Sequence, residues 1–252
     1  MLNYIRMQQQ RTPLQFVPNF ILLVFMSTIL SSLGCSNGES SQQVLPPTTP
    51  VVVSSVPASG TSAVPFNTSI AVTFNVDIDP ATLTPSTFYV SNVSGTVAYD
   101  ATNETAVFHP AAPMAANTTY TVVLTTGIKS TAGATFAQQY SFSFSTGNVP
   151  DTTPPTITSV APANGSTNVP LNTQVTVTFS EAMDPTELVG STRVGVSASL
   201  AYDSQTFTAT LTPASQLAPN TTYSATVFGT VQDLAGNQMG ANYVWTFTTA
   251  AQ

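Results

Sequence analysis

The chain has 252 residues, of which only 6% are charged, against about 25% in typical soluble domains. Beyond the N-terminal segment two cations, Lys129 and Arg193, stand against eleven acidic residues, a formal charge of −9. Two separated cations cannot form a basic patch, which excludes nucleic acid as a partner. The hydrophobic content of 42%, arranged with strand-like periodicity, indicates folded domains rather than a disordered chain.

Residues 1–34 have the pattern of an export signal peptide. Arg6 and Arg11 precede an apolar run at residues 20–30, shorter than the about 20 residues that a membrane helix needs. Leu33-Gly34-Cys35-Ser36 resembles the lipobox of bacterial lipoproteins, and Cys35 is the only cysteine. The resemblance implies a lipid anchor in the membrane through Cys35, and Ser36 after it favours the outer membrane. The same small-residue spacing also suits ordinary signal-peptidase cleavage, which would leave a secreted protein.

After the signal peptide the composition predicts a tether and two domains. Residues 35–50 are rich in Ser, Gln and Pro and cannot bury a core, so we expect a flexible tether. Residues 51–147 form the first predicted domain and residues 156–250 the second. The short Pro-rich linker 148–155 joins them and restricts the angle between them.

A repeated block indicates that the two domains share one fold. Residues 64–80, VPFNTSIAVTFNVDIDP, recur at a constant offset of 105 as residues 169–185, VPLNTQVTVTFSEAMDP. Each copy has a turn, a strand with apolar and polar residues in alternation, and an Asp-Pro breaker. Six or seven such strands are predicted per domain, and residues 194–202 are predicted to form a single strand. This number of strands predicts an all-β chain of two tandem Ig-like antiparallel β-sandwiches.

A second repeat predicts which aromatic residues are structural. Residues 114–120, MAANTTY, recur as residues 217–223, LAPNTTY. A tyrosine entering the penultimate strand at such a corner can bond its hydroxyl to backbone a few residues upstream, so Tyr120 and Tyr223 are predicted to be structural. Strand alternation places Phe74, Phe179 and Trp245 in the core rather than at a ligand site.

Together these blocks resemble the bacterial Ig-like domains of the SbsA type, named for an S-layer protein. The resemblance rests on the two repeats, on VQDLAGN at residues 231–237 and on the closing WTFTT at residues 245–249. The first domain departs from it with NVDI at residues 75–78 and STAGA at residues 130–134. The resemblance implies an extracellular building block in surface and secreted proteins, not a catalyst.

The sequence contains few residues that could form a catalytic site. His109 is the only histidine, so neither a Cys/His zinc site nor a Ser-His-Asp triad is constructible in the usual way. We expect His109 to be a strand-end residue beside Pro110, and no enzymatic activity is predicted.

One constellation in the second domain could bind a cation. If the loop after its second strand meets the loop between its last two strands, Glu181 and Asp184 approach Asp233 and Asn237. Acids so close repel one another unless a proton, amide donors or a hard cation such as Ca²⁺ offsets their charge. The alternative is that Asp184 caps a short helical turn and Asp233 accepts amides from its own turn. No other cofactor is predicted.

Two functions of different kinds follow. The first is a non-catalytic cell-surface protein whose domains act as spacer, structural or adhesion units toward an unknown protein or glycan partner. The alternative is a module that binds a glycan or Ca²⁺ through the loops at one pole of the second domain.

Overall fold

A computed structural model describes residues 48–252, and both Cys35 and the export signal lie outside the described residues. The described chain is all-β apart from two short helical turns. It forms two antiparallel sandwiches, called domain 1 and domain 2 here, in agreement with the predicted fold class. In residues 48–252 no helix is long and apolar enough to cross a membrane.

Domain 1 contains seven strands in two sheets. These are β1 Val52–Val56, β2 Ile70–Phe74, β3 Phe88–Val90, β4 Gly95–Asp100, β5 Thr105–Pro110, β6 Thr119–Leu124 and β7 Tyr140–Ser145, with a 3₁₀ turn at Pro80–Thr82. One sheet has the order β1-β2-β5-β4 and the other β3-β6-β7, and all neighbouring strands are antiparallel.

Domain 2 repeats this plan with one additional short strand. Its elements are β8 Ile157–Ala161, β9 Ser166–Val169, β10 Val175–Phe179, α1 Pro185–Leu188, β11 Thr192–Val194, β12 Ala198–Asp203, β13 Thr208–Pro213, β14 Thr222–Val227 and β15 Tyr243–Thr249. The sheets have the orders β12-β13-β10-β8 and β11-β14-β15-β9. Strand β9 runs parallel to β15, and the isolated parallel bridge Val64–Thr146 stands at the corresponding place in domain 1.

The core of each domain lies between its two sheets. Phe74 at the end of β2 and Phe179 at the end of β10 are 1% and 2% exposed. Trp245 of β15 is 1% exposed and belongs to the domain 2 core. These three side chains therefore lie in the interior, because the inward residues of both sheets interdigitate in a sandwich.

The prediction of one strand at residues 194–202 was wrong. The chain ends β11 at Val194, turns over Gly195, and begins β12 in the opposite sheet. The Gly195 amide donates to the Ser224 carbonyl of β14 and the Val196 amide to the Val194 carbonyl, so both amides are bonded as the chain crosses between the sheets. An apolar-polar alternation that continues through a change of sheet cannot reveal this break, since both sheets face the same core.

Candidate functional site at the junction of the two domains

The four candidate cation ligands lie at the pole of domain 2 that faces domain 1. Glu181 follows β10, Asp184 precedes α1, and Asp233 and Asn237 lie in the loop between β14 and β15. The two loops meet as expected, because Met183 and Asp233 form an antiparallel bridge and the Asp184 amide donates to the Gln232 carbonyl over 3.0 Å.

The Asp184 carboxylate caps the helical turn that follows it. Its Oδ1 accepts hydrogen bonds from the Thr186 amide at 2.9 Å and from the Thr186 hydroxyl at 2.6 Å. Pro185 at the first helical position has no amide hydrogen to satisfy, which suits the start of a helix. This is the geometry of an N-cap.

The Asp233 carboxylate is engaged by its own turn. Its Oδ1 accepts from the Ala235 amide at 2.8 Å and the Asn237 amide at 2.9 Å, and its Oδ2 accepts from the Asn237 side-chain amide at 2.8 Å. Asp233 is 3% exposed. The structure therefore gives Asp184 and Asp233 the local capping contacts of the alternative reading, and it makes Asn237 a donor at this site.

Glu181 and Asp233 nevertheless belong to a cluster of three carboxyls. The third member is Asp151 of the linker, which the sequence did not indicate, and one oxygen of each lies within 4.8 Å of the other two. Asp184 is outside this group. Burial, and next the negative charges of Asp151 and Asp233, raise the pKa of Glu181 from 4.5 to about 7. Within residues 48–252 these three carboxyls are the group that could share a proton or hold a hard cation.

Asp151 is held in place by domain 1. Its amide donates to the Asn67 Oδ1 over 2.8 Å, and its carbonyl accepts from the Asn67 Nδ2 over 2.8 Å. The Asn237 Nδ2 donates to the same carbonyl at 3.3 Å. One linker residue is thus bonded to both domains at the point where the chain passes between them.

An apolar contact lies beside these hydrogen bonds. Leu234, only 5% exposed, projects from domain 2 onto Ala71 of β2 and Val107 of β5. Val56 and Ala182 complete this small cluster, which is separate from both domain cores. The Ser69 amide donates to the Leu234 carbonyl at 2.6 Å, so backbone and side chain of Leu234 both contact domain 1.

His109 has a role that its position in β5 did not suggest. Its Nδ1 lies 3.1 Å from the Ser69 hydroxyl, and its Nε2 lies 3.6 Å from the Asp184 Oδ2. Protonation of the imidazole makes the second contact an ion pair between the domains. A further contact joins the Asn103 Oδ1 of domain 1 to the Tyr202 amide of β12 at 2.5 Å.

A shallow groove of about 700 Å³ lies where the edge of domain 1 meets β12 of domain 2. Its lining consists of residues 52–55, 58, 59, 73 and 140 of domain 1 with residues 202–205 of domain 2. Asp203 is the one charged side chain among them, and its carboxylate accepts from the Gln205 amide at 2.8 Å and the Thr206 hydroxyl at 2.9 Å. These bonds, the first of them foremost, lower the pKa of Asp203. The groove thus presents hydroxyls, an amide and the exposed ring of Tyr140.

Two pairs of tyrosines connect loops to strands. The hydroxyls of Tyr120 and Tyr223 accept from the Ala115 and Ala218 amides at 2.7 and 2.8 Å. A second pair was not predicted: the hydroxyls of Tyr99 and Tyr202 accept from the Ile78 and Met183 amides, each at 2.8 Å. Burial raises the pKa of both members of the second pair. The repeated triplet Ala-Tyr-Asp at residues 98–100 and 201–203 would have revealed them.

Each half of the described chain is therefore an antiparallel sandwich with a tyrosine corner, which is the construction of an Ig-like domain. The sequence profile of the family described as bacterial Ig-like domain matches residues 46–146 and 151–249. The chain belongs to this family. Domains of this kind are generally non-catalytic, and they indicate a structural or surface module.

Solved structures similar to this chain include the N-terminal part of the bacterial S-layer protein SbsC, with 20% identity, a TM-score of 0.33, and coverage of 79% of this chain and 44% of that one. An L,D-transpeptidase from Mycobacterium smegmatis has 20% identity and a TM-score of 0.30, over 39% of this chain and 41% of that one. A chimeric titin Z1Z2 has 13% identity and a TM-score of 0.31, over 81% and 96%.

The chain spans less than half the length of the first two of these structures, and such low identities and scores carry no argument about function. No curated protein matches the chain.

Proposed function

We propose that the protein is a non-catalytic component of the bacterial cell surface, in which two Ig-like domains act as a spacer or structural unit, with adhesion as a further use. The observation that supports this most is the family match, which covers both sandwiches at residues 46–146 and 151–249. The SbsA-type sequence pattern and the export signal at residues 1–34 point to the same location.

The proposal includes an anchor at the N-terminus. Cys35 follows Gly34 in the lipobox-like segment, and the tether beyond it leads to β1. Lipid attached to Cys35 would hold the domains at the membrane, and Ser36 favours the outer membrane. Secretion after ordinary cleavage is the alternative.

The anchor is tested in the native host by intact mass and by cell fractionation. We expect a mature N-terminus at Cys35 carrying lipid, and release of a Cys35→Ala variant from the membrane fraction. Ser36→Ala is the matched control, because it changes the neighbouring residue without removing the thiol. An unmodified N-terminus in a soluble protein would replace the anchored form by the secreted one.

The surface location is tested separately with a peptide tag placed after Gln252. On intact cells the tag should be accessible to antibody and to added protease. Access only after permeabilisation would contradict exposure at the surface, whatever the state of Cys35.

The groove between the domains favours a second candidate function, the binding of a neutral glycan. Sugars are recognised by aromatic rings that pack on their apolar faces and by hydroxyl and amide groups that bond their hydroxyls. Tyr140 and Gln205, both exposed, offer these two kinds of group in the groove, and the one carboxylate is engaged by its own turn. The candidate calcium- or glycan-binding pole of domain 2 is less accessible, since Asp184, Asp233 and Leu234 are at most 5% exposed.

A panel of neutral and charged cell-wall oligosaccharides tests this second candidate. Tyr140→Ala should reduce any binding at the groove at least tenfold. Tyr243→Ala is the control: it changes the tyrosine at the corresponding position of β15, with a similar exposure of 38%, outside the groove. Equal losses in both variants, or no binding to any neutral glycan, would remove this function.

A further inference from the structure

Because the two domains are repeats, each residue of the contact between them has a counterpart in the other domain. The residues that form the contact can therefore be compared with counterparts that do not. In domain 1, Ala71 of β2 pairs with Val107 of β5, and Leu234 covers both. In domain 2 the corresponding strands are β10 and β13, and the corresponding pair is Thr176 and Thr210. The face that contacts Leu234 in domain 1 is therefore apolar, whereas the corresponding face of domain 2 carries two threonine hydroxyls.

The burial patterns show the same difference along whole strands. In β2 the residues Ile70, Ala71 and Val72 are all buried, whereas in β10 buried and half-buried residues alternate. A continuous apolar run is expected where both faces of a strand are covered, and alternation where one face meets water. The sequence of β2 is thus suited to a second covering layer, which domain 2 supplies.

The inserting residue differs in the same way. The Leu234 amide donates to the Ala182 carbonyl, and at the corresponding place in domain 1 the Thr131 amide donates to the Asp77 carbonyl. Each of these residues follows a bridge of matching position, Met183–Asp233 and Ile78–Ser130. The two loops therefore have similar backbone bonding, but the loop of domain 1 has the exposed Thr131 where the loop of domain 2 has the buried Leu234.

We propose that Leu234 and the Ala71–Val107 face lock the two domains into one rigid unit in solution, and that the threonines at the corresponding positions prevent the same contact between copies of the chain. Burying the apolar Leu234 on an apolar face is favourable. Covering Thr176 and Thr210 would instead remove water from hydroxyls that have no hydrogen-bond partner across the contact.

The lock gives the proposed spacer a fixed geometry. The reciprocal bonds between Asn67 and Asp151 hold the linker, and the contact of His109 with Asp184 lies on the same interface. Leu234 belongs to the apolar cluster between the domains and to neither domain core, so its loss should free the domains while each keeps its own core. The proposal deepens the spacer role. Only the biological use of the rigidity rests on that role, because the rigidity itself can be measured wherever the protein resides.

The first experiment measures the distance between spin labels on the two domains. Cysteines are introduced at the exposed positions Ser86 and Gln216 in a Cys35→Ala chain, and the distance distribution is recorded by pulsed electron paramagnetic resonance. We expect one narrow distribution in this chain and a distribution at least twice as broad after Leu234→Thr. Val244→Thr, at an exposed position of β15, is the control and should leave the width unchanged.

Folding is checked in the same samples by Trp245 fluorescence and far-ultraviolet circular dichroism. A narrow distribution that survives Leu234→Thr in the folded protein would overturn the lock. A broad distribution in the parent labelled chain would overturn it as well. Neither result bears on anchoring or surface exposure, so the lock and the proposed function can fail independently.

The second experiment transfers the lock to the other pair of surfaces. The triple variant carries Thr131→Leu on domain 1, which supplies an inserting leucine, and Thr176→Ala with Thr210→Val on domain 2, which supply a free apolar face. Each of the two half-variants carries the substitutions of one domain alone. Such a contact joins unlike surfaces and does not close on itself, so open head-to-tail assembly is expected. The mass by light scattering should rise with concentration in the triple variant, and in neither half-variant. A triple variant with the mass of the unmodified chain would overturn the role of the threonines.

Discussion

Asn67 of domain 1 and Asp151 of the linker bond each other twice, amide to side chain and side chain to carbonyl, with both distances at 2.8 Å. An asparagine side chain used in this way replaces the pairing that a neighbouring strand would give the linker backbone. The linker is therefore part of the interface between the domains, and its bonds should be measurable in stability.

Asn67→Ala should destabilise the docked chain by about 1–3 kcal/mol, because it leaves the part-buried amide of Asp151 without a partner. The Asp151 carbonyl keeps only the longer bond from the Asn237 side chain, at 3.3 Å. The measurement is urea denaturation followed by circular dichroism. Asn172→Ala is the matched control, since Asn172 occupies the corresponding turn of domain 2 and is exposed. Equal effects of the two substitutions would show that the bonds to Asp151 contribute nothing specific.

Glu181 should make stability depend on pH in a defined direction. Its pKa is raised from 4.5 to about 7 in the folded protein. The folded state therefore keeps a proton that the unfolded state loses, and the free energy of unfolding falls as pH rises from about 4.5 to about 7. The side chain is only partly buried, so we expect a change of about 1 kcal/mol, well below what the full shift would imply.

The check is thermal unfolding from pH 4 to 8. Glu181→Gln should flatten the fall in this interval, because the amide has no proton to lose. Glu187→Gln, an exposed carboxyl in the same segment, should leave it unchanged. A fall of the same size in Glu181→Gln would assign the pH dependence to other groups.

Phe179→Ala should cost roughly 3–5 kcal/mol, because Phe179 is 2% exposed and its truncation leaves a cavity between the sheets of domain 2. Trp245 is the only tryptophan and lies in the same core, so its fluorescence reports the unfolding of domain 2. Val189→Ala, which truncates a side chain 51% exposed, should shift the midpoint little. Similar midpoints for the two variants would contradict a packed core at Phe179.

Tyr223→Phe should cost about 1 kcal/mol, since it removes the hydroxyl that accepts from the Ala218 amide and leaves the ring packing intact. Tyr202→Phe should cost a similar amount by releasing the Met183 amide. Tyr243→Phe is the control, because Tyr243 is 38% exposed and lies at the start of β15. Urea midpoints measured in parallel decide whether the hydroxyls of Tyr223 and Tyr202 stabilise the fold.

Several features of the fold could be predicted because they are local or repeated. Alternation in segments such as Val175–Phe179 identifies strands directly, and the recurrence of one block 105 residues later identifies two copies of one fold. The switch between sheets after Val194 could not be predicted, since both sheets bury residues against the same core. Strand β9 has no alternation from which it could be predicted, because it is short and mostly exposed.

The candidate site shows the same division. Sequence reasoning placed Glu181, Asp184, Asp233 and Asn237 at one pole, because adjoining loops of a sandwich share an end. It could not supply Asp151, which reaches Glu181 and Asp233 only when the linker is held by a residue 84 positions away. It also did not reveal the contact between the His109 Nε2 and Asp184, because Asp184 belongs to the other domain.

The sequence by itself determined the two sandwiches, their tyrosine corners and their cores, because period-2 alternation and turn residues act between near neighbours. Only the tertiary structure decided how the domains meet. That contact depends on the packing of Leu234 against the outward-facing pair Ala71 and Val107. The partner of an outward-facing apolar residue cannot be predicted until the surface that covers it is known. Side-chain direction is local, whereas the choice of covering surface is a property of the whole folded chain.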